Sequence, residues 1–125
     1  PTEVGRFDSN GLNKLGTASG SAPSYSARAW VNFNGVGTPS IRESGNVSSI
    51  VDTGVGIYTV NFTTAMPDAD YVMSGHSGNV TGTTGTGRSQ QRNGTWTAST
   101  AYFRNVLTNT QAPYDDSYIG LIFIR

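Results

Sequence analysis

The chain contains no cysteine and few charged residues, and these two shortages exclude several classes of protein. None of its 125 residues is Cys, so disulfides cannot stabilise the fold. Charged residues make up 13% of the chain, about half of the ~25% that is usual. The formal net charge is zero, so there is no basic surplus for phosphates and general nucleic-acid binding is not expected. Stability must come from packing, hydrogen bonds or subunit association.

Long apolar runs and histidines are also scarce. No apolar run approaches the ~20 residues that a membrane-spanning helix needs, so membrane insertion is not expected. His76 is the single histidine, which is too few for an ordinary zinc site without cysteine. It could form a triad on paper with Ser74 or Ser77 and Asp70, but no nucleophile-elbow sequence accompanies it. We interpret His76 as an exposed polar residue and expect no catalytic site.

Two pairs of carboxylates raise the question of calcium, which prefers hard oxygen ligands. The first pair is Asp68 and Asp70, and the second is Asp115 and Asp116. Neither belongs to an Asp-x-Asp-x-Asp-Gly loop, so we interpret the first as part of a turn and the second as a solvated loop. The run Gly82–Gly87 lacks the Gly-Lys-Ser/Thr ending of a phosphate cradle and is interpreted as a flexible loop. We expect neither metal nor cofactor.

Glycine and β-branched residues are abundant, and their arrangement favours strands. The sixteen glycines and five prolines fall mainly between short apolar runs, where turns need them. Those runs alternate polar and apolar residues, as half-buried strands do. The chain is therefore predicted to be all-β, an antiparallel β-sandwich of about seven or eight short strands with long polar loops. The predicted strands are Ala27–Phe33, Thr38–Glu43, Val47–Asp52, Ile57–Phe62, Asp70–Gly75, Thr95–Val106 and Tyr118–Ile124.

Three of these strands carry specific expectations. Val47–Asp52 and Ile57–Phe62 form a hairpin around a turn at Thr53–Gly56, with Tyr58, Val60 and Phe62 on one face. Because proline cannot donate to the hydrogen bonds of a sheet, Pro39 indicates that the strand Thr38–Glu43 lies at an edge of its sheet or begins at this proline. Tyr118–Ile124 is apolar on both faces, so either it is central in the sandwich or another subunit covers its second face.

The remaining segments are polar. Ser77–Asn93 has a single aliphatic residue and is predicted to be a long exposed loop or a loose hairpin, and Thr108–Asp116 is predicted to be a polar loop. Residues 1–26 are weakly patterned, and we interpret them as an extended arm leading from an upstream shaft, with a disordered terminus as the alternative. Residues 27–125 would form the folded domain.

Two stretches carry a family resemblance. They read AWVNFNGVGTPSIRESGNVSSI from Ala29 and GIYTVNFTTAMPDADY from Gly56. Together with the apolar ending Tyr118–Ile124, these stretches resemble the C-terminal domain of tailed-bacteriophage tail fibres and related virion-tip proteins. The resemblance covers rather more than a third of the chain. It implies an all-β, trimeric, non-enzymatic domain at the distal end of a fibre in the virion, where host surfaces are met.

The resemblance leads to a first hypothesis, in which polar loops bind a glycan or protein receptor on the bacterial surface. Candidate contacts are Arg88, Gln90, Gln91, Arg92, Trp96 and Tyr114. For Trp96 a core position is the alternative, and for Tyr114 an ordinary exposed loop position. The partners would be two further copies of the chain, other tail proteins and the receptor.

Other functions fit the same composition. The chain could be a purely structural trimerisation or capping module of a tail fibre or baseplate, with receptor binding elsewhere. A secreted lectin-like, carbohydrate-binding monomer is a weaker alternative. A depolymerase is least favoured, because no pair of carboxylates suggests the acid and base of glycoside hydrolysis.

Overall fold

A computed structural model describes residues 5–7, 13–15, 27–79 and 87–125 of the chain. Within those ranges it contains ten β-strands and no helix, as the all-β prediction requires. The strands are β1 (Gly5–Phe7), β2 (Asn13–Leu15), β3 (Ala27–Asn34), β4 (Ser40–Gly45), β5 (Val47–Gly54), β6 (Ile57–Phe62), β7 (Val72–Gly78), β8 (Arg88–Arg92), β9 (Thr100–Leu107) and β10 (Tyr118–Ile124).

Eight of these strands form two four-stranded sheets. The first sheet has the order β4-β3-β10-β7 and the second has the order β5-β6-β9-β8. Every pair of neighbouring strands is antiparallel. The chain changes sheet after β4, β6, β7 and β9, so each sheet is assembled from distant parts of the sequence. This arrangement confirms the predicted antiparallel β-sandwich.

The first two strands lie in the segment that was predicted to be an arm. β1 and β2 pair with each other, with Arg6 opposite Lys14. The division of the chain into residues 1–26 and residues 27–125 stays a prediction.

The core lies between the two sheets, where alternate residues of the central strands point inward. Tyr58, Val60 and Phe62 of β6 are all buried, as the predicted hairpin face requires. Aromatic rings meet across the layers in edge-to-face pairs. Phe33 lies 5.3 Å from Tyr58, and Phe62 lies 5.1 Å from Phe123, between ring centroids. Such pairs contribute about 0.5–1.5 kcal/mol each beyond the area they bury.

Several strand predictions are confirmed. β5 and β6 form the predicted hairpin, although Gly54 pairs with Ile57 and the turn is shorter than Thr53–Gly56. β4 lies at an edge of the first sheet, as Pro39 indicated. β10 lies between β3 and β7, so Tyr118–Ile124 is a central strand of its sheet. Tyr118 and Ile122 on its outer face are exposed, and cover of that face by another subunit stays a prediction.

The prediction for Ser77–Asn93 is wrong at both ends. β7 continues to Gly78, and Arg88–Arg92 forms β8, which pairs with β9 at the edge of the second sheet. β7 and β8 belong to different sheets, so they are not a hairpin. Polar composition concealed β8 because its side chains form hydrogen bonds at the sandwich edge. Residues 80–86, most of the Gly82–Gly87 run, lie outside the described residues.

The predicted strand Thr95–Val106 begins too early, because β9 starts at Thr100. The Thr97 hydroxyl accepts hydrogen bonds from the backbone N–H groups of Ser99, at 3.2 Å, and Thr100, at 3.1 Å. Threonine side chains compete in this way with the pairing of a strand. The resulting turn precedes β9 and leaves Trp96 outside the strand.

Asn46 forms the crossing from the first sheet to the second, between β4 and β5. Its backbone is left-handed, with φ of 58°. The side-chain amide donates to the carbonyls of Arg28, at 3.1 Å, and Thr64, at 3.0 Å, and its oxygen accepts from Thr64 N at 2.7 Å. The same side chain therefore links the start of β3 to the segment after β6.

Candidate functional site

The structure places the predicted receptor contacts of β8 at the edge where the two sheets meet. Gln90 donates from Nε2 to Ser77 Oγ of the first sheet and to Asn105 Oδ1 of β9, both at 2.9 Å. Asn105 is fully buried, and Ser77 Oγ donates to the same amide oxygen at 2.7 Å. Gln90 therefore joins the two layers, and its amide group is used inside the fold.

Arg88 forms a buried ion pair at the same edge. Its Nε lies 2.7 Å from Asp116 Oδ2, and the exposed fractions of the two side chains are 11% and 0%. Asn105 Nδ2 donates to the same carboxylate oxygen at 2.8 Å. The Arg88 guanidinium also lies over the ring of Tyr114, 4.8 Å from its centroid. Two predicted contacts, Arg88 and Tyr114, are thus brought together.

The expectation that Asp115 and Asp116 form a solvated loop is wrong. Asp116 is fully buried because it pairs with Arg88. Asp115 is half-buried, and its Oδ1 accepts from Gly56 N at 2.6 Å and from the Tyr58 hydroxyl at 2.7 Å. Burial of the phenol, and then its hydrogen bond to Asp115, raises the pKa of Tyr58 well above its ordinary value. Both carboxylates therefore form their hydrogen bonds within the fold.

Trp96 occupies the core position that was the alternative to receptor contact. It is 6% exposed, stacks on Tyr71 at 4.8 Å between ring centroids, and donates from Nε1 to the Tyr102 carbonyl at 2.6 Å. The guanidinium of Arg92 lies 4.7 Å from the centroid of its ring. Arg92 thereby covers the core tryptophan.

Gln91 faces outward from β8, unlike Gln90. It accepts from Arg104 Nε at 2.9 Å and donates to Gln111 at 2.8 Å. Of the six candidates, Arg92 and Tyr114 are exposed, Arg88, Gln90 and Gln91 are half-buried, and Trp96 is buried. The six contacts stay candidates, but most of their polar atoms already have partners within the fold.

A different surface offers a better-formed site, the outward face of the first sheet. Directly paired residues of neighbouring strands share a face. Trp30 of β3 pairs with Ile122 of β10 in one row of this face, and Asn32 pairs with Gly120 in the next. A depression of about 410 Å³ lies on these rows. We call it the Trp30 depression, and its lining consists of Trp30, Val31, Asn32, Ser74, Gly75, His76, Gly120, Leu121 and Ile122.

Glycines create the space that the two rings of this surface occupy. A Cβ added to Gly120 would lie 2.5 Å from His76 Cε1, so the imidazole covers this glycine. A Cβ added to Gly45 would lie 2.4 Å from Trp30 Nε1, so the indole covers Gly45 at the edge strand. Any larger residue at either position would displace a ring.

The depression combines apolar surface with polar atoms that are available. Trp30 is 42% exposed, a large fraction for a tryptophan in a strand. Within the described part of the chain, no hydrogen bond is formed by the Trp30 indole, the Ser74 hydroxyl or the His76 ring. Asn32 accepts from Arg42 at 3.3 Å through its Oδ1. These polar atoms border the exposed indole and could bind a polar ligand.

A stacked pair borders the depression at the next row. The Arg42 guanidinium lies 4.0 Å from the ring centroid of Tyr118 and donates to the Ser117 carbonyl at 2.6 Å. Arg42 is therefore fixed by Tyr118, Ser117 and Asn32 on the same face. Its position holds the Asn32 amide in place beside the depression.

Sequence reasoning identified His76 as exposed, which is confirmed, but it missed Trp30 and the depression. Trp30 was visible as the large aromatic on the polar side of β3, opposite Val31 and Phe33. Gly120 was visible as a break in an otherwise apolar strand. Neither signal is specific, because the pairing of Gly120 with His76 depends on the order of the strands, which the sequence does not specify.

Comparisons with protein-family models, curated proteins and solved structures found no match. Within the described residues, no group of three or more His, Cys, Asp or Glu side chains could hold a metal ion. The same part of the chain has no helix long and apolar enough to cross a membrane.

Proposed function

We propose that the chain is the attachment domain at the tip of a bacteriophage tail fibre, which binds a bacterial surface receptor without catalysis. The observation that carries the proposal is the Trp30 depression, which has an exposed aromatic ring and available polar atoms on a sheet. Aromatic side chains on a rigid scaffold give contact area at a low entropic cost. The resemblance of the two quoted stretches to fibre tips supports the location in the virion.

The position of the resemblance favours this surface. The first stretch, Ala29–Ile50, includes nearly all of β3, all of β4 and part of β5, and the apolar ending is β10. Trp30, Asn32 and Gly120 therefore belong to the parts of the chain that resemble fibre tips. β8, with four of the six predicted contacts, does not.

The arrangement of carboxylates favours binding over hydrolysis. Asp68 and Asp116 are each paired with an arginine, and Asp115 accepts the hydroxyl of Tyr58. An arginine partner favours the ionised form of a carboxylate, whereas a general acid in glycoside hydrolysis must hold a proton. Asp68, whose pKa is lowered by its hydrogen bond from Arg125, is not arranged as such an acid.

The test of attachment is binding of the purified, fluorescently labelled chain to intact cells of the bacterium infected by the encoding phage. We expect the labelling of the cells to saturate and to be displaced by unlabelled chain. Because the proposed domain does not catalyse hydrolysis, the surface polysaccharide should keep its length. Labelling that does not saturate, or progressive shortening of the polysaccharide, would contradict the proposal.

A structural role in a trimer is the second candidate function. Tyr118, Ile122 and Val72 are exposed on the same face as Trp30, and a second copy of the chain could cover them. In threefold assemblies each chain meets two copies of itself. The attachment proposal also includes a trimer, but in that case the Trp30 face stays accessible.

A further inference from the structure

We propose that the Trp30 depression is a binding site for an uncharged saccharide. This inference deepens the proposed function, on which it rests for the bacterial origin of the ligand. Trp30 would stack against the C–H face of a sugar ring, and Asn32, Ser74 and His76 would bind hydroxyl groups at its rim.

The size of the depression favours a small ligand. Its volume of about 410 Å³ lies within the range of roughly 300–1,000 Å³ that is usual for small-molecule sites. A protein partner needs a contact of roughly 800 Å² on each side, spread over many residues. The depression suits a short segment of a glycan, and a longer polysaccharide could continue along the sheet.

The lining chemistry favours a sugar over other small ligands. A lipid would leave the available polar atoms of Ser74 and His76 without partners, and burying such atoms unpaired is unfavourable. A sugar matches both the apolar and the polar part of the lining, because its ring has an apolar face and its rim has hydroxyl groups that donate and accept hydrogen bonds. Trp30 supplies the apolar surface, and the side chains of Asn32, Ser74 and His76 supply both donors and acceptors.

The charge of the lining favours an uncharged ligand. None of its nine residues is Asp, Glu, Lys or Arg. Arg42, which borders the depression, is directed to Tyr118, Asn32 and the Ser117 carbonyl. A strongly anionic glycan would therefore find no guanidinium among the lining residues, and the carboxylate of Glu43, which pairs with Asn32 on the edge strand, lies outside the lining.

The structure offers a matched set of variants. Gly120→Ala would place a methyl group where the His76 imidazole lies and would change the depression without touching the core. Gly78→Ala adds the same methyl group in β7 of the same sheet, where no atom of the described residues lies within 4 Å of the added Cβ. Gly78→Ala is therefore the control for Gly120→Ala. Trp30→Ala removes the stacking surface itself.

The first experiment screens the purified chain against an array of neutral and anionic bacterial polysaccharides, each also applied after periodate oxidation of its vicinal diols. We expect binding to a neutral polysaccharide that oxidation abolishes. Trp30→Ala should weaken this binding roughly tenfold or more, as expected when a binding surface loses its main tryptophan. Gly120→Ala should weaken it and Gly78→Ala should leave it unchanged.

The second experiment locates the site by nuclear magnetic resonance. The chain has two tryptophans, so its spectrum contains two indole N–H signals. Titration with the bound polysaccharide should shift the Trp30 signal. The Trp96 signal should stay in place, because that N–H is buried and bonded to the Tyr102 carbonyl.

The outcomes separate this inference from attachment. The saccharide site would be overturned if the chain binds no neutral polysaccharide, if Trp30→Ala binds as tightly as the unchanged chain, or if only the Trp96 signal shifts. If the chain labels cells, and treating the cells with protease abolishes the labelling while treating them with periodate does not, the attachment proposal survives and the saccharide inference fails. If polysaccharide is bound through Trp30 and cells are not labelled, the inference survives and the attachment proposal fails.

Discussion

At the scale of single residues, the two tryptophans differ in what covers their rings. Trp96 lies between Tyr71 and Arg92, and its N–H is bonded, so its surface is used in stabilising the fold. Trp30 covers Gly45 on one side of the first sheet and remains 42% exposed. Burial, which follows from the neighbouring strands, decides which tryptophan is available to a ligand.

The buried ion pair of Arg88 gives a prediction for stability. Arg88→Met removes the guanidinium and leaves the buried Asp116 carboxylate with the Asn105 amide as its remaining donor among the described residues. Breaking a buried pair in this way usually costs about 3–5 kcal/mol. Urea unfolding should show a loss of this size in the free energy of unfolding.

The control is Arg92→Met on the same strand. Arg92 is exposed, and its contact with Trp96 should be worth about 1 kcal/mol or less. If Arg88→Met and Arg92→Met destabilise the protein equally, the buried pair does not have the role assigned to it.

The ion pair of Asp68 gives a prediction for acid stability. Hydrogen bonds from Arg125, and next from the Asp70 backbone, lower the pKa of Asp68 to about 2. The ordinary value is about 3.9 in unfolded chains. Because the folded pKa is the lower one, this contribution to stability is present above about pH 4 and is lost as the pH falls towards 2.

Arg125→Ala should raise the pKa of Asp68 towards its ordinary value. The part of the acid-induced loss of stability that comes from Asp68 should then largely disappear. Carboxyl chemical shifts followed during an acid titration measure the pKa directly. The carboxyl of Asp115, which has no contact with Arg125, serves as the internal control. An unchanged pKa of Asp68 in the variant would contradict the account.

At the scale of elements, the sandwich depends on short connections that move the chain from one sheet to the other. Asn46 is such a connection, because a left-handed residue lies directly between β4 and β5. Its amide fixes the start of β3 and the chain after β6 through three hydrogen bonds. The crossing is thus specified both by the backbone of Asn46 and by its side chain.

Replacing Asn46 separates these two contributions. Asn46→Ala loses the three hydrogen bonds and retains a left-handed backbone, which costs an L-residue about 1–2 kcal/mol. Asn46→Gly loses the same hydrogen bonds without that strain, so it should be the more stable variant by about 1 kcal/mol. Urea unfolding of both variants measures the difference. Equal stability would mean that the backbone conformation contributes nothing to the crossing.

The sequence specifies β6 and β10 better than β8. Tyr58, Val60 and Phe62 alternate clearly, and the apolar run of β10 indicates a central strand. β8 has no such pattern, because Arg88 and Gln90 reach inward to polar partners on β9 and in the loop after it. Those partners are distant in sequence, so no local pattern in Arg88–Arg92 reveals the strand.

The candidate site was less predictable still. The sequence predicted that His76 is exposed, and it carries Trp30 on the polar side of β3, but their common depression depends on Gly120 lying between Asn32 and His76 across three strands. That neighbourhood follows from the strand order β4-β3-β10-β7, which brings the end of the chain between two earlier strands. Only the assembled sheet shows it.

At the scale of the whole molecule, the question is which face the assembly leaves open. We expect a trimer in solution, with a mass three times the 13.2 kDa of one chain. If the Trp30 face binds a receptor, Trp30→Ala should have the same mass as the unchanged chain in light scattering after gel filtration. If a second copy covers this face, the variant should dissociate. A dissociated variant would favour the structural module.

The most direct measurement of the central claim is competition for adsorption. Purified chain is added to host cells before the encoding phage, and the fraction of phage left unadsorbed is counted. The account predicts that the unchanged chain and Gly78→Ala block adsorption in proportion to their concentration, whereas Trp30→Ala blocks it roughly tenfold less effectively or worse. Equal blocking by Trp30→Ala, or no blocking by the unchanged chain, would contradict attachment through the Trp30 depression.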